Sequence, residues 1–126
     1  MTKNFQEDMI KKMFNPKNFG EIKNPDATGE AINPQCKDFT KIYLKIKNNV
    51  IKDAKFQTIG CMAAIAFSDE ACEMVKGKTI EEAKKIKAKE ILGKIKGFPE
   101  EKSHCSIMGP NAIKDAIKNY EQKMKK

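Results

Sequence analysis

The 126-residue sequence predicts an α+β fold, in which a small antiparallel three-stranded sheet packs against several helices. In the middle of the chain, apolar and polar side chains alternate, which is typical of strands with one solvated face. From Met62 onward the apolar residues recur at helical spacing instead. The composition, 40% hydrophobic and 33% charged residues, differs from that of disordered chains and of membrane proteins. We therefore expect one domain that spans residues 1–126.

The predicted sheet is built around a hairpin. Thr40–Lys47 alternates strictly, with isoleucine and leucine on one face and mainly lysine on the other. Asn48 and Asn49 favour a tight turn, and Val50–Ile59 then forms the second strand of the hairpin. A third strand is predicted near Ala27–Ile32, within a segment rich in turn-forming residues.

Helices are predicted before and after the sheet. Gly77 favours the end of one helix, and the Thr79–Glu82 capping box marks the start of the next. The predicted helices span Phe5–Phe14, Met62–Val75, Thr79–Lys87, Ala88–Lys96 and Pro110–Lys123. The first lies in the N-terminal residues 1–14, and the sequence leaves open whether it packs on the domain or stays mobile for a partner.

The charge distribution argues against a nucleic-acid-binding or membrane protein. The formal net charge is +8, and every basic residue is a lysine. Specific DNA recognition relies on arginine forks, and single-strand binding relies on aromatic platforms, whereas this chain has no Trp and two Tyr. No apolar stretch approaches the length of a membrane span, and the first residues lack a signal-peptide pattern. We expect a cytoplasmic protein.

Three of the four cysteines are candidates for chemistry. Cys36, Cys61 and Cys105 are predicted in loops at the ends of strands or helices, where a buried core cysteine would be unusual. Cys61 and Cys105 precede predicted helices, whose N-termini stabilise thiolates. Cys72 falls in the middle of a predicted helix and is interpreted as a small buried hydrophobic residue. The spacing contains no C-x-x-C pair, which excludes a local zinc knuckle.

Asp38 and His104 lie close in sequence to these cysteines. Thiolates combined with imidazole select zinc or iron–sulfur species over magnesium or calcium. By spacing alone, a metal site and ordinary loop cysteines remain equal alternatives. A thiol hydrolase with a Cys105–His104 pair is disfavoured, because the side chains of adjacent residues diverge and no orienting partner is evident.

An ordered set of short motifs distinguishes between these alternatives. N-P-x-N-x-G begins at Asn15, C-x-D at Cys36, and T-x-G-C-x-A-x-x-A at Thr58, and V-K-G-K-T and H-C-S follow. In this order and spacing, from Asn15 to Tyr120, the sequence resembles the U-type iron–sulfur cluster assembly scaffold family, which comprises IscU and the N-terminal domain of NifU.

The resemblance implies a site and a function. Cys36, Cys61 and Cys105 would hold a transient [2Fe–2S] cluster on loops at one end of the domain, and Asp38 or His104 would complete the coordination. The same residues would bind Fe²⁺, or Zn²⁺ in its place. Cys105 is the implied acceptor of persulfide sulfur. The chain would then be a scaffold and carrier protein rather than an enzyme.

The family also implies partners. These are a cysteine desulfurase, or free sulfide, as the sulfur source, and acceptor apoproteins for the cluster. An Hsp70-type chaperone is a further implied partner, although only Pro99 and Lys102 match its L-P-P-V-K motif. The chain would be a monomer or a homo-oligomer linked by the cluster. The alternative function is a zinc-bearing protein that accepts persulfide sulfur on the same fold.

Two residues depart from the family pattern. Lys37 replaces the glycine of C-G-D, where a left-handed backbone would strain any other residue. Its cation would nevertheless favour ionised thiols. Met62 replaces the small residue that usually follows the second cysteine, and adds a flexible apolar side chain there.

Overall fold

The fold is α+β, as the sequence predicts. The computed structural model describes residues 15–33, 37–60, 62–94 and 107–124. Three strands are followed by helices, in the order β1 (Ala27–Ile32), β2 (Phe39–Lys47), β3 (Val50–Ile59), α1 (Met62–Val75), α2 (Ile80–Lys84), α3 (Ala88–Lys94) and α4 (Met108–Met124). The predicted helix Phe5–Phe14 lies outside the described residues, and the single-domain assignment stays a prediction.

Within the described residues, two predicted boundaries differ from the structure by two residues or more. The capping box at Thr79 and Glu82 is present, but α2 ends at Lys84, because Lys85 takes the C-cap and the buried Ile86 follows outside the helix. The last helix begins at Met108, two residues before the predicted Pro110. Proline fits the first turn of a helix without losing a hydrogen bond, so Pro110 does not have to be the first residue.

The sheet is antiparallel with the order β1-β2-β3. Asn48 and Asn49 both have positive φ values, 53° and 65°, as the tight hairpin turns with type I′ geometry require. On the other edge of β3, the amide of Gly20 donates to the carbonyl of Phe56, and the amide of Phe56 donates to the carbonyl of Asn18. Residues 18–20 therefore cover part of that edge.

One face of the sheet carries the core. Helices α1 and α4 pack on it, and their buried side chains meet those of β2 and β3, including Ile42, Leu44 and Phe56. The opposite face is less solvated than predicted at Tyr43, which is only 7% exposed. The hydroxyl of Tyr43 donates to Gln57 Oε1 at 2.6 Å, and Lys41 Nζ lies 5.1 Å from its ring centroid.

Helix α4 is held against β1 by close backbone packing. Gly29 has no side chain, and a Cβ atom there would lie 2.2 Å from both the carbonyl oxygen of Ala112 and the amide nitrogen of Ala116. Asp115 Oδ2 accepts the Glu30 amide at 2.9 Å, and Asn119 Nδ2 donates to the Thr28 carbonyl at 2.9 Å. These two side chains cap backbone groups of an edge strand that would otherwise be open to pairing.

None of the helices in the described part of the chain has the length and apolar character needed to cross a membrane.

Candidate functional site

Several chain segments converge at one end of the sheet. The register pairs Phe39, at the start of β2, with Ile32 at the end of β1 and Ile59 at the end of β3. Helix α1 begins at Met62, three residues after Ile59. The ends of all three strands and the start of α1 therefore lie together, and we call this region the site end.

Helix α4 also begins at the site end. Its contacts run antiparallel to β1, because Asn119 meets Thr28 whereas Asp115 meets Glu30. The start of α4, at Met108, therefore lies toward the end of β1 at Ile32. In sequence, the described residues at this end directly flank the segments that contain the three candidate cysteines.

Of the five predicted ligands, the structure describes Asp38. The other four, Cys36, Cys61, His104 and Cys105, lie outside the described residues, and their roles stay predictions. Within residues 15–33, 37–60, 62–94 and 107–124, no group of three or more His, Cys, Asp or Glu side chains is arranged to hold a metal ion.

Asp38 is fixed from two sides. Its backbone carbonyl accepts the amide of Asn33 at 2.8 Å, and the Asn33 carbonyl accepts the amide of Lys37 at 2.7 Å. Its side chain lies against Gly60, where a Cβ atom would be 2.4 Å from Asp38 Cγ. Asp38 is 8% exposed, so its carboxylate is largely removed from water. The residue therefore links the segment before β2 to the end of β3, next to Cys61 in sequence.

Lys37 adopts the left-handed backbone that the family glycine implies. Its φ value is +64°, and its side chain is exposed. A left-handed conformation costs a non-glycine residue about 1–2 kcal/mol. The substitution of glycine by lysine has therefore kept the local chain path at the cost of strain.

A cluster of hydroxyl groups lies at the start of β2, two residues after Asp38 in sequence. Thr40 Oγ1 lies 2.9 Å from Thr58 Oγ1 and 3.3 Å from Ser68 Oγ, and the Thr58 hydroxyl donates to the carbonyl of Phe39. Thr40 and Ser68 are fully buried. Because each hydroxyl has partners, the cluster ties β2, β3 and α1 together without an unpaired buried polar group.

A second polar network joins Asn18 to α1, and the sequence did not predict it. Asn18, the second asparagine of N-P-x-N-x-G, donates through Nδ2 to Asp69 Oδ1 at 3.0 Å and to Glu73 Oε1 at 3.1 Å, and its backbone amide donates to Asp69 Oδ1 at 2.8 Å. Lys76 Nζ donates to Asn18 Oδ1 and to Glu73 Oε1.

This network binds residue 18 to α1, the helix that follows Cys61. Hydrogen bonding from Asn18 is the main cause of a pKa for Glu73 below its usual value, and the Lys76 cation adds to it. Asp69 is fully buried on the apolar side of α1. A buried acidic residue requires a polar partner. An aspartate among the apolar residues of the predicted helix was therefore the sequence signal that could have indicated this network.

The interpretation of Cys72 as a buried hydrophobic residue is confirmed. Cys72 is a free thiol with no exposed surface. Burial raises its pKa far above the usual value, and the Asp69 carboxylate raises it further. Its thiol therefore stays protonated and unsuited to metal binding or nucleophilic attack at neutral pH.

Comparison with known proteins identifies the family. The family model described as NifU-like N terminal domain matches residues 4–126. An iron–sulfur cluster assembly scaffold protein IscU of Archaeoglobus fulgidus is 49% identical over 109 residues, which cover 86% of this chain and 71% of the relative. The iron–sulfur cluster assembly protein IscU of Plasmodium falciparum is 47% identical over 121 residues, which cover 93% of this chain and 74% of the relative.

A solved structure supports the fold. The crystal structure of an N-terminal NifU-like protein from Brucella abortus superposes with a TM-score of 0.72 at 20% identity, and covers 93% of this chain and 94% of that one. At this identity the likeness shows the α+β fold alone. The match of the family model to nearly the whole chain, with the identities above, shows that this chain belongs to the NifU-like N-terminal domain family of U-type scaffolds.

Proposed function

We propose that this protein is a scaffold on which a transient [2Fe–2S] cluster is assembled and then passed to acceptor apoproteins. The observation that carries the proposal is the convergence at the site end, where the register joins Ile32, Phe39 and Ile59. The chain segments that precede and follow Cys36 and Cys61 meet there. The names of the two IscU relatives, which describe iron–sulfur cluster assembly, support the same function.

In this proposal Cys36, Cys61 and Cys105 bind the cluster through their thiolates, and Asp38 or His104 supplies the fourth ligand. This donor set suits iron, because thiolates hold iron–sulfur species, and it also accepts Zn²⁺. A carboxylate or imidazole is a harder ligand than a fourth thiolate. A mixed set therefore favours release of the cluster, which a scaffold requires and a permanent electron-transfer centre does not.

Cys105 is the proposed entry point for sulfur. Its thiolate attacks the outer sulfur of a persulfide on a cysteine desulfurase, the bond between the two persulfide sulfurs breaks, and the desulfurase cysteine leaves as a thiolate. Free sulfide is the alternative sulfur source, and it would combine with iron directly, without a persulfide on Cys105. Protein partners would approach the site end, where Ile32 and Ile59 are 65% and 75% exposed and offer apolar contacts.

The proposed role is that of a carrier and not of an enzyme, because the relatives are named as scaffold and assembly proteins. Their names do not favour the zinc-bearing sulfur-transfer alternative. A cytoplasmic location, an Hsp70-type chaperone as a partner, and a state that is monomeric or linked by the cluster into homo-oligomers stay predictions.

Anaerobic reconstitution tests this function. The metal-free chain is incubated with ferric iron and sulfide, and iron, acid-labile sulfide and the visible spectrum are then measured. We expect equal amounts of iron and sulfide, a [2Fe–2S] spectrum, and loss of both when apo-ferredoxin is added. Cys36→Ser, Cys61→Ser and Cys105→Ser should each reduce cluster uptake, whereas Cys72→Ser is the matched control and should not.

Two results would contradict the proposal. One is a chain that binds zinc but takes up no sulfide, even when its zinc is removed before reconstitution. This result would favour the sulfur-transfer alternative. The other is loss of the cluster in Cys72→Ser alone, which would show that the ligand assignment is wrong.

A further inference from the structure

Asp38, just before β2, lies close against Gly60, just after β3. A Cβ atom on Gly60 would lie 2.4 Å from Asp38 Cγ, 2.7 Å from Oδ1 and 2.8 Å from Cβ. Ordinary contacts of a Cβ atom begin near 3.4 Å. The carboxyl group of Asp38 therefore occupies the space that any side chain at position 60 would need.

The backbone of Asp38 cannot easily move to make that space. Its carbonyl is bonded to the Asn33 amide at 2.8 Å, and Asp38 immediately precedes β2, whose first residue pairs with Ile59. Gly60 follows Ile59 directly and is bonded to Cys61. Because the Asp38 backbone is held, rotation of the Asp38 side chain is a ready way to relieve a clash, and it would carry the carboxylate away from Gly60.

We propose that Gly60 is a positioning residue for Asp38: by lacking a side chain, it leaves room for the Asp38 carboxylate in its observed place against position 60, and this placement lets Asp38 serve as the proposed fourth ligand. The inference rests on the proposed function. Replacing Gly60 by alanine would displace Asp38 Cγ by about 1 Å if it is to regain an ordinary contact. Metal–ligand distances tolerate only about ±0.2 Å, so this displacement removes the carboxylate from coordination.

Cobalt binding separates this role from a general loss of structure. Metal-free, reduced chains are titrated with Co²⁺ alone, and the affinity, the thiolate-to-cobalt charge-transfer band and the d–d bands are recorded. We expect Gly60→Ala and Asp38→Ala each to lower the affinity by about 10–100-fold, as loss of a supporting contact at a metal site does. Both should keep the charge-transfer band and share one altered d–d spectrum. The double variant should bind no more weakly than either single variant.

Two further variants keep the result interpretable. Gly77→Ala is the matched control, because Gly77 has a φ value of +83° with nothing within 4 Å of its Cβ position. It should lower thermal stability and leave Co²⁺ affinity unchanged. Asp38→Glu retains the charge but places the carboxylate one methylene further out, and it should lose affinity as Gly60→Ala does, even if Gly60→Ala fails to fold.

The outcomes distinguish this inference from the proposed function. Wild-type affinity in folded Gly60→Ala, wild-type affinity in Asp38→Glu, or additive losses in the double variant would overturn the positioning role while leaving the scaffold function intact. Unchanged affinity in Asp38→Ala would do the same, because there would be no coordinating carboxylate to position. Absence of the thiolate charge-transfer band in the wild-type chain would instead refute the proposed function.

Discussion

The close packing of α4 on β1 leads to a quantitative prediction for Gly29→Ala. In most strands this change would stabilise the protein by about 0.5–1 kcal/mol, because glycine loses more conformational freedom on folding. Here the added methyl group would lie 2.2 Å from the Ala112 oxygen and the Ala116 nitrogen, and 2.8 Å from Ala116 Cα. These are helix backbone atoms, so no side-chain rotation can remove the clash.

The size of the effect follows from how far α4 must retreat. Restoring ordinary contact requires a shift of about 1.2 Å, which is the difference between the 2.2 Å separation and the 3.4 Å limit of ordinary contact. A gap of 0.5–1 Å forfeits about a quarter to a half of the dispersion energy of the contacting atoms. Because Ile113 and Ile117 of α4 are fully buried, we expect a loss of about 3 kcal/mol, the upper end of the range for overpacked cores.

Thermal and chemical unfolding measure this loss. At roughly 4 °C per kcal/mol for a domain of this size, the melting midpoint should fall by about 12 °C. Hydrogen exchange of the Glu30 amide, which donates to Asp115, should accelerate as the helix retreats. The control is Glu30→Ala, an exposed neighbour on the same strand, which should change stability by about 0.5 kcal/mol or less. An unchanged or raised midpoint in Gly29→Ala would refute the close packing.

Three further predictions follow from single residues. Lys37→Gly should raise stability by about 0.5–1 kcal/mol, because relief of the left-handed strain exceeds the entropic cost of glycine; a lower melting midpoint would contradict the φ of +64°. Cys72→Ala should leave the number of thiols that react with a disulfide reagent under native conditions unchanged, because burial keeps Cys72 protonated; one reactive thiol fewer would contradict this. Asn18→Ala should cost about 1–3 kcal/mol at pH 7 in urea unfolding. The Glu73 part of that cost exists above the usual pKa of 4.5 and disappears as pH falls through the lowered pKa of the folded state, so the stability difference between wild type and variant should narrow in acid.

The regular elements of this fold could be predicted because their signals are local. Alternation over Val50–Ile59 and helical spacing over Met62–Val75 match the observed bounds, since one face of each element is buried in a single core. The two asparagines of the hairpin turn and the capping box at Thr79 carry their own backbone geometry. The end of α2 was less accurate, because the burial of Ile86 outside the helix depends on tertiary packing.

The candidate site was predicted from sequence motifs and not from the spacing of its residue types. Residue spacing alone left a metal site and ordinary loop cysteines open, and only the ordered motifs separated them. Asp38 and Gly60, which lie close together, stand just before β2 and just after β3, and the Asn18–Asp69 contact joins residues 51 positions apart. Such contacts become visible only when the register of the sheet and the packing of α1 are known, since no local propensity encodes them.

The distribution of buried polar groups points to the site end independently of any motif. Of the six buried polar residues in the described part of the chain, four lie near this end: Asn33, Asp38, Thr40 and Ser68. Burying a polar group destabilises a fold unless hydrogen bonds compensate for the lost water, and the left-handed Lys37 adds strain at the same place. Within the described part of the chain, every buried side-chain nitrogen or oxygen atom has a hydrogen-bond partner, so these groups fix the strand ends in place. A fixed polar framework and one strained residue where three strands end point to the adjoining loops as the functional region, while the apolar core supplies the stability.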